Sequence, residues 1–166
     1  MGFDLHHILE GMALEKLSDY GLEHMTDTEI ADFLSAQRVG TLGLPSEAGP
    51  YMIPMSYGYD REDGLYFTYL EGSDSEKSTL TRRAETARFL VYSVESMFNW
   101  SSVSLTGSLR EVPQARWDSL AEILESTWRP ELLDAAVHGA AITVYRFEVD
   151  EQVGIRHTTL APDLEG

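Results

Sequence analysis

The chain of 166 residues contains no cysteine, which excludes disulfides, thiolate metal sites and a cysteine nucleophile together. Lysine is almost as scarce: Lys16 and Lys77 stand alone beside ten arginines, and all bases together number 12 against 28 acids, a net charge of -16. A surface this negative repels phosphate backbones, so a nucleic-acid partner is not expected. Acid-rich, lysine-poor surfaces suit a cytoplasm with molar salt, where charge repulsion is screened within ~3 Å, and the composition reads as that of a halophile. No apolar run approaches the ~20 residues needed to span a bilayer, and no charged, apolar and small-residue leader opens the chain. The expectation is a soluble, cytoplasmic protein with no membrane contact.

Several enzymatic signatures are missing as well. There is no Gly-x-Ser-x-Gly elbow, no phosphate-binding loop ending in Gly-Lys-Ser/Thr, and no Gly-x-Gly-x-x-Gly after a strand. His6 and His7 adjoin, but His24, His138 and His157 are scattered without the spacing of a metal site, so no metal is expected. Acid pairs such as Glu10/Glu15 and Glu62/Asp63 are explained by the acidic surface without an acid–base role.

What is present reads as one globular domain with an extension. Residues 1–24 carry apolar residues at roughly helical spacing and form an expected N-terminal helical extension; residues 25–160 form the domain proper. Thr26 and Glu29 have capping-box spacing before the apolar face of Ile30, Phe33 and Leu34, which predicts a helix ending before Arg38. Strands are predicted over Val39–Leu44, Tyr51–Tyr59, Leu65–Leu70, Ala87–Val94, Val103–Val112 and Ala141–Val149, with Val153–His157 extending the last or pairing with it. Asp63-Gly64 is a hairpin signal. Short helices are predicted from Gly72–Asp74 to near Arg83, over Gln114–Trp128, and over Glu131–Val137. Short strands, hairpin turns and no regular strand–helix alternation predict a mainly β fold, a closed or partly closed antiparallel barrel with flanking helices.

Four stretches could carry chemistry. In Tyr51–Tyr57, Pro54 removes a ladder donor, leaving backbone groups that the polar edge of a flat ring could use; the plainer reading is a protected edge strand. In Leu65–Tyr69, Phe67 could wall such a ring and Thr68 bond an oxygen, although these residue types suit any half-buried strand. In Gly72–Ser78, Ser73 and Glu76 have capping-box spacing; a helix start with Lys77 and the hydroxyls of Ser73, Ser75 and Ser78 could cradle a phosphate. In Asn99–Gly107, Trp100 just before a strand, followed by Ser101 and Ser102, offers stacking and hydroxyl donors, or simply a core anchor.

Taken in order, Val39-Gly40-Thr41-Leu42, Pro54-Met55-Ser56-Tyr57, Tyr66-Phe67-Thr68, Lys77, and Trp100-Ser101-Ser102-Val103 through Gly107 resemble the pyridoxamine 5′-phosphate oxidase-related family of FMN-binding split barrels. The resemblance implies a six-stranded antiparallel Greek-key barrel and a homodimer with FMN at the interface. It implies that Pro54, Met55 and Ser56 lie along the ring, that Phe67 and Thr68 line the adjacent strand, and that Ser75 and Lys77 hold the phosphate. Trp100, Ser101 and Ser102 would reach across from the second subunit. The sequence departs from the oxidase pattern at Glu76-Lys77, where an arginine–lysine pair is usual. It departs again at Pro54-Met55-Ser56, which replaces an arginine-rich strand. Arg156-His157 is the nearest basic pair to a C-terminal substrate site. The expectation is therefore an FMN-dependent oxidoreductase of unspecified substrate rather than a vitamin B6 oxidase. A flavin carrier or sensor without turnover, a binder of a deazaflavin, and a barrel that has lost its cofactor are the alternatives.

Overall fold

The structure, a computed structural model, describes residue 18 and residues 21–71, 75–125 and 141–158. Eight strands form one antiparallel sheet: β1 (Leu22–His24), β2 (Val39–Leu44), β3 (Tyr51–Ser56), β4 (Gly58–Asp60), β5 (Gly64–Glu71), β6 (Ala87–Ser96), β7 (Asn99–Glu111) and β8 (Ala141–Thr158). Helix α1 (Asp27–Ala36) precedes β2, α2 (Glu76–Arg83) links β5 to β6, and α3 (Ala121–Glu125) follows two short 3-10 turns.

The strand order β3-β2-β6-β7-β8-β5-β4, with β1 added beside β8, explains why the sheet closes. The first and last strands of that path are consecutive in the chain, joined by the single residue Tyr57. β3 and β4 are therefore one kinked strand that pairs with β2 by its first half and with β5 by its second. Closure is incomplete where β3 faces the far half of β5, because no ladder joins those two segments. The neighbours β6, β7, β8 and β5 give the crossed connection of a Greek key.

Alternation fixes the interior. Leu65, Phe67 and Tyr69 point inward from β5, Phe89 and Val91 from β6, Val103 and Leu105 from β7, and Tyr145 and Phe147 from β8. Phe67, Phe89 and Phe147 meet edge to face or tilted, with centroids 4.9–6.4 Å apart. Tyr57 donates its hydroxyl proton to the Leu34 carbonyl at 2.8 Å, which ties the β3–β4 kink to α1. Gly107 and Gly154 are needed for packing: a Cβ on the first would meet the Glu148 carbonyl at 2.0 Å, and on the second Ile30 at 2.7 Å.

Several expectations are corrected. The sheet has eight strands, not six, because Tyr57 splits the second expected strand and Leu22–His24, at the end of the expected extension, is a strand pairing with Ile155–His157. The capping box at Thr26 and Glu29 is present. The next helix, by contrast, is capped by Ser75, whose hydroxyl accepts from the Ser78 amide. Ser73 lies outside the described residues. Trp100, Ser101 and Ser102 lie within β7, which begins at Asn99, because their pairing with both β6 and β8 extends the ladder beyond the barrel. The helix expected over Gln114–Trp128 is broken into 3-10 turns and a short α3. The expected helix at Glu131–Val137 and residues 1–17 lie outside the described residues. No helix among the described residues is long and apolar enough to cross a membrane.

Candidate functional site

The site grows from the one place where the barrel fails to close. In β3, Pro54 sits opposite Thr41, and Pro54 has no N–H to give. Thr41 and Pro54 must therefore be a non-hydrogen-bonded pair, and the even-numbered residues Met52, Pro54 and Ser56 turn their backbone groups toward the open edge. The amide of Tyr57 donates to the Arg38 carbonyl at 3.1 Å, the parity this requires. The Pro54 carbonyl and the Ser56 amide and carbonyl thus face the split between β3 and β5.

Helix α2 follows β5 and brings Lys77 into that split. The Lys77 ammonium lies 3.7 Å from Met55 Sδ on β3 and 4.2 Å from the centre of the Tyr69 ring on β5. It therefore bridges the two unladdered segments, with a cation–π contact on one side. Burial pushes the Tyr69 phenol above its ordinary pKa, with the hydrogen bond to Thr81 acting against it, so the ring under Lys77 is neutral. The Tyr69 hydroxyl and Thr81 Oγ1 are 2.9 Å apart. The hydroxyl of Ser78, the next residue in α2, is buried and has no hydrogen-bond partner among the described residues, a condition that costs free energy unless something else meets it. A phosphate would supply acceptor oxygens for both groups. Glu76 is exposed, and Ser75 is half-buried at the cap.

Other expected residues fall into three places. Pro54 and Ser56 lie on the outer face of β3, and Thr68 lies on the outer face of β5. Met55 and Phe67 face the interior at 4% and 0% exposure, so Phe67 is a core ring and offers no wall to a ligand. Met55 acts through its sulfur against Lys77. Trp100 and Ser102 lie on the outer face of β7, opposite Val94 and Tyr92 of β6, whereas Ser101 points to the other side. The structure thus joins Met55 and Lys77 at the split, with Pro54, Ser56 and Ser75 at its border; Trp100 and Ser102 lie farther along the same sheet.

That outer face carries several apolar side chains that no described residue covers. Met52, Tyr92 and Val94 are 64%, 59% and 63% exposed, and Val39, Val153 and Met97 accompany them. The sequence did not reveal two contributors. Tyr69, the seat of Lys77, was legible only as the last residue of the aromatic stretch Leu65–Tyr69. His157 is directly opposite Trp100 in the β7–β8 register, its ring stacked at 6.2 Å and 12°, with Nδ1 2.8 Å from the Phe98 carbonyl. Nothing local in sequence foretells that cross-strand pairing. Arg156, by contrast, is matched with carboxylates: its guanidinium meets Glu29 at 2.7 Å and Glu23 at 3.1 Å.

A cleft of about 680 Å³ lies elsewhere, between α1, the β4–β5 turn and β8. Asp27, Glu62, Asp63, Glu148, Asp150 and Glu151 outnumber Arg61 and Arg146 in its lining, which disfavours a phosphate. Among the described residues no group of three or more His, Asp and Glu side chains could hold a metal ion.

A family model described as pyridoxamine 5′-phosphate oxidase matches residues 26–156. No curated protein matches the chain. Among solved structures, a FAD-binding protein of Mesorhizobium loti is 20% identical with a TM-score of 0.63, over 83% of this chain and 98% of that one. The FAD-binding protein of Mycobacterium smegmatis is 15% identical with a TM-score of 0.61, over 83% and 100%. A FAD- and haem-binding protein of the same organism is 13% identical with a TM-score of 0.60, over 86% and 76%. At these identities the structural likeness establishes a shared split-barrel fold.

Proposed function

The chain belongs to the pyridoxamine 5′-phosphate oxidase family, and from that premise we propose that it is a flavin-binding protein, an FMN-dependent oxidoreductase, working as a homodimer. The observation that supports the reading is Lys77 lodged in the barrel split, next in sequence to Ser78, whose buried hydroxyl has no partner among the described residues. In this reading Lys77, Ser75 and Ser78 take the phosphate, and the edge groups of Pro54 and Ser56 take the polar rim of the ring, with Met55 beneath Lys77 and Thr68 on the adjacent strand. Trp100 and Ser102 come from a second copy laid on the bare face, with Ser101 in the same strand. Bound flavin would supply the electron-transfer chemistry. The protein's own part is to position the ring, neutralise the phosphate and exclude water from one face. The acid-rich, lysine-poor composition supports a salt-rich cytoplasm as its setting.

FAD is the second reading, favoured by the solved relatives described as FAD-binding. Titration of the purified protein with FMN and FAD, followed by flavin fluorescence, separates the two. Lys77→Ala should weaken FMN on the order of tenfold, because a charge-assisted contact contributes ~1.5–3 kcal/mol. Unchanged affinity in that variant would remove Lys77 from the site. Turnover is tested separately, by oxidation of NADH or NADPH in the presence of the bound flavin and an acceptor. A tightly held flavin without turnover would make the protein a carrier or sensor.

A further inference from the structure

Four arginines lie on strands of the sheet, and three are matched with carboxylates. Arg110 and Arg146 meet Glu148 at 3.8 Å, and Arg156 meets Glu23 and Glu29. The side chain of Arg88, on the outer face of β6, makes no hydrogen bond or ion pair with any described residue. Its cross-strand neighbours are Gly43 on β2 and Thr106 on β7. In a chain with 28 acids and 12 bases, a strand arginine without a carboxylate beside it needs a reason.

Gly43 points to one. Mid-strand glycine weakens a sheet, and its usual justification is a close approach by something else. Among the described residues nothing approaches: a Cβ at Gly43 would meet only the Arg88 carbonyl at 3.7 Å and Arg88 Cβ at 3.9 Å, ordinary contacts that alanine satisfies. Gly40 differs, because a Cβ there would strike the Phe89 ring at 2.6 Å. The missing side chain at Gly43 therefore leaves a notch on the outer face, beside an unmatched guanidinium and a threonine hydroxyl.

We propose that Arg88, Gly43 and Thr106 form a binding site for an oxyanion, phosphoryl or carboxylate, carried by a ligand lying on the bare face. Gly43 lets the ligand come down onto the backbone, Arg88 supplies a forked pair of donors, and Thr106 supplies a hydroxyl. Arg88 lies two strands across and one side-chain row along from Pro54, roughly 12 Å at ordinary sheet spacings, within reach of a ligand that also touches the β3 edge. The ligand's identity rests on the flavin reading, whereas the existence of the site does not. The oxyanion has two sources: the second phosphate of a dinucleotide flavin, or the phosphates of a reduced pyridine nucleotide that delivers electrons to it.

The test compares wild type, Arg88→Ala, Arg88→Lys and Gly43→Ala in calorimetric titrations with FMN, FAD, NADPH and inorganic pyrophosphate. Arg88→Ala should weaken its ligand about tenfold and Arg88→Lys less, since lysine keeps the charge but loses the fork. Gly43→Ala should keep or raise the unfolding midpoint while weakening the same ligand several-fold. Loss confined to FAD, with FMN unchanged, assigns the oxyanion to the cofactor. Loss confined to NADPH and pyrophosphate assigns it to the electron donor. Arg88-dependent pyrophosphate binding by a protein that takes up no flavin would sink the flavin reading and leave this site standing. Indifference of FAD, NADPH and pyrophosphate to Arg88 overturns the proposal. So does a Gly43→Ala variant that alters self-association but no ligand affinity, which would give the notch to the subunit contact.

Discussion

The outer surface of the barrel has two halves treated in opposite ways. On one half, Tyr66 and Val144 are covered by the segment after β7, where Val112 and Leu120 are buried with them and Trp117, Ile123 and Leu124 pack alongside. Coverage there is intimate: a Cβ on Gly58 would meet the Ile123 carbonyl at 2.4 Å. On the other half, Val39, Met52, Tyr92, Val94 and Val153 are exposed. An antiparallel sheet can leave one face to water, but that face is ordinarily polar. Among the described residues a segment of the chain covers one apolar face and none covers the exposed apolar side chains of the other, and exposed apolar surface of this kind marks a place for a partner or ligand.

The comparison breaks most readily through matched truncations. Leu120→Ala on the covered half should cost about 2–5 kcal/mol of stability, the range for emptying a buried leucine site. Val94→Ala on the bare half should stay within about 0.5 kcal/mol of wild type in the dissociated chain. Urea unfolding at low protein concentration measures both. Equal losses would mean that Val94 is already covered in the single chain.

The second test concerns what covers the bare half. Trp100→Ala should weaken self-association by roughly 2 kcal/mol or more, the scale of an interface hot spot, and should loosen bound flavin with it. Sedimentation and flavin titration read the two effects. If neither moves, Trp100 serves only its stack on His157.

Parts of the fold and of the candidate site were legible in sequence, for reasons that differ by element. Val39–Leu44 was bounded correctly because its hydrophobic run is fenced by Arg38 and Pro45. Pro54 announced an edge because its missing N–H can be tolerated only where no neighbour needs it. Lys77 stood out through the scarcity of lysine, and the structure places it in the split. What sequence could not supply was register. Whether Phe67 faces in or out, that Tyr57 is a kink joining the two ends of the sheet, and that Trp100 meets His157 all depend on contacts between strands distant in the chain. The 3-10 breaks after Pro113 were missed because Trp117, Leu120, Ile123 and Leu124 have helical spacing, while Trp117 spends its indole N–H on the Val112 carbonyl at 3.1 Å.

A single strand carries the same contrast at finer grain, and it supports the smallest predicted effect. Along β8, Ile155 and His157 face the bare side, while Gly154 and Arg156 face α1 and β1. Glu29 is held below its ordinary pKa of 4.5, first by the hydrogen bond from the Thr26 amide, then by Arg156, with partial burial working against both. A carboxylate depressed on folding adds stability that is fully present above its unfolded pKa and is lost as pH falls through the folded one. Wild type should therefore exceed Glu29→Gln in stability near pH 6, and the margin should shrink as pH drops below about 4.5. Repeating the comparison in 1 M salt divides the causes. The Arg156 pair is about one-third exposed and is weakened by salt, which screens charge over ~3 Å at 1 M, whereas the capping bond from Thr26 is less affected. A margin that survives salt assigns the effect to the cap, and one that vanishes assigns it to Arg156; a margin independent of pH would mean that Glu29 contributes by packing and not by charge.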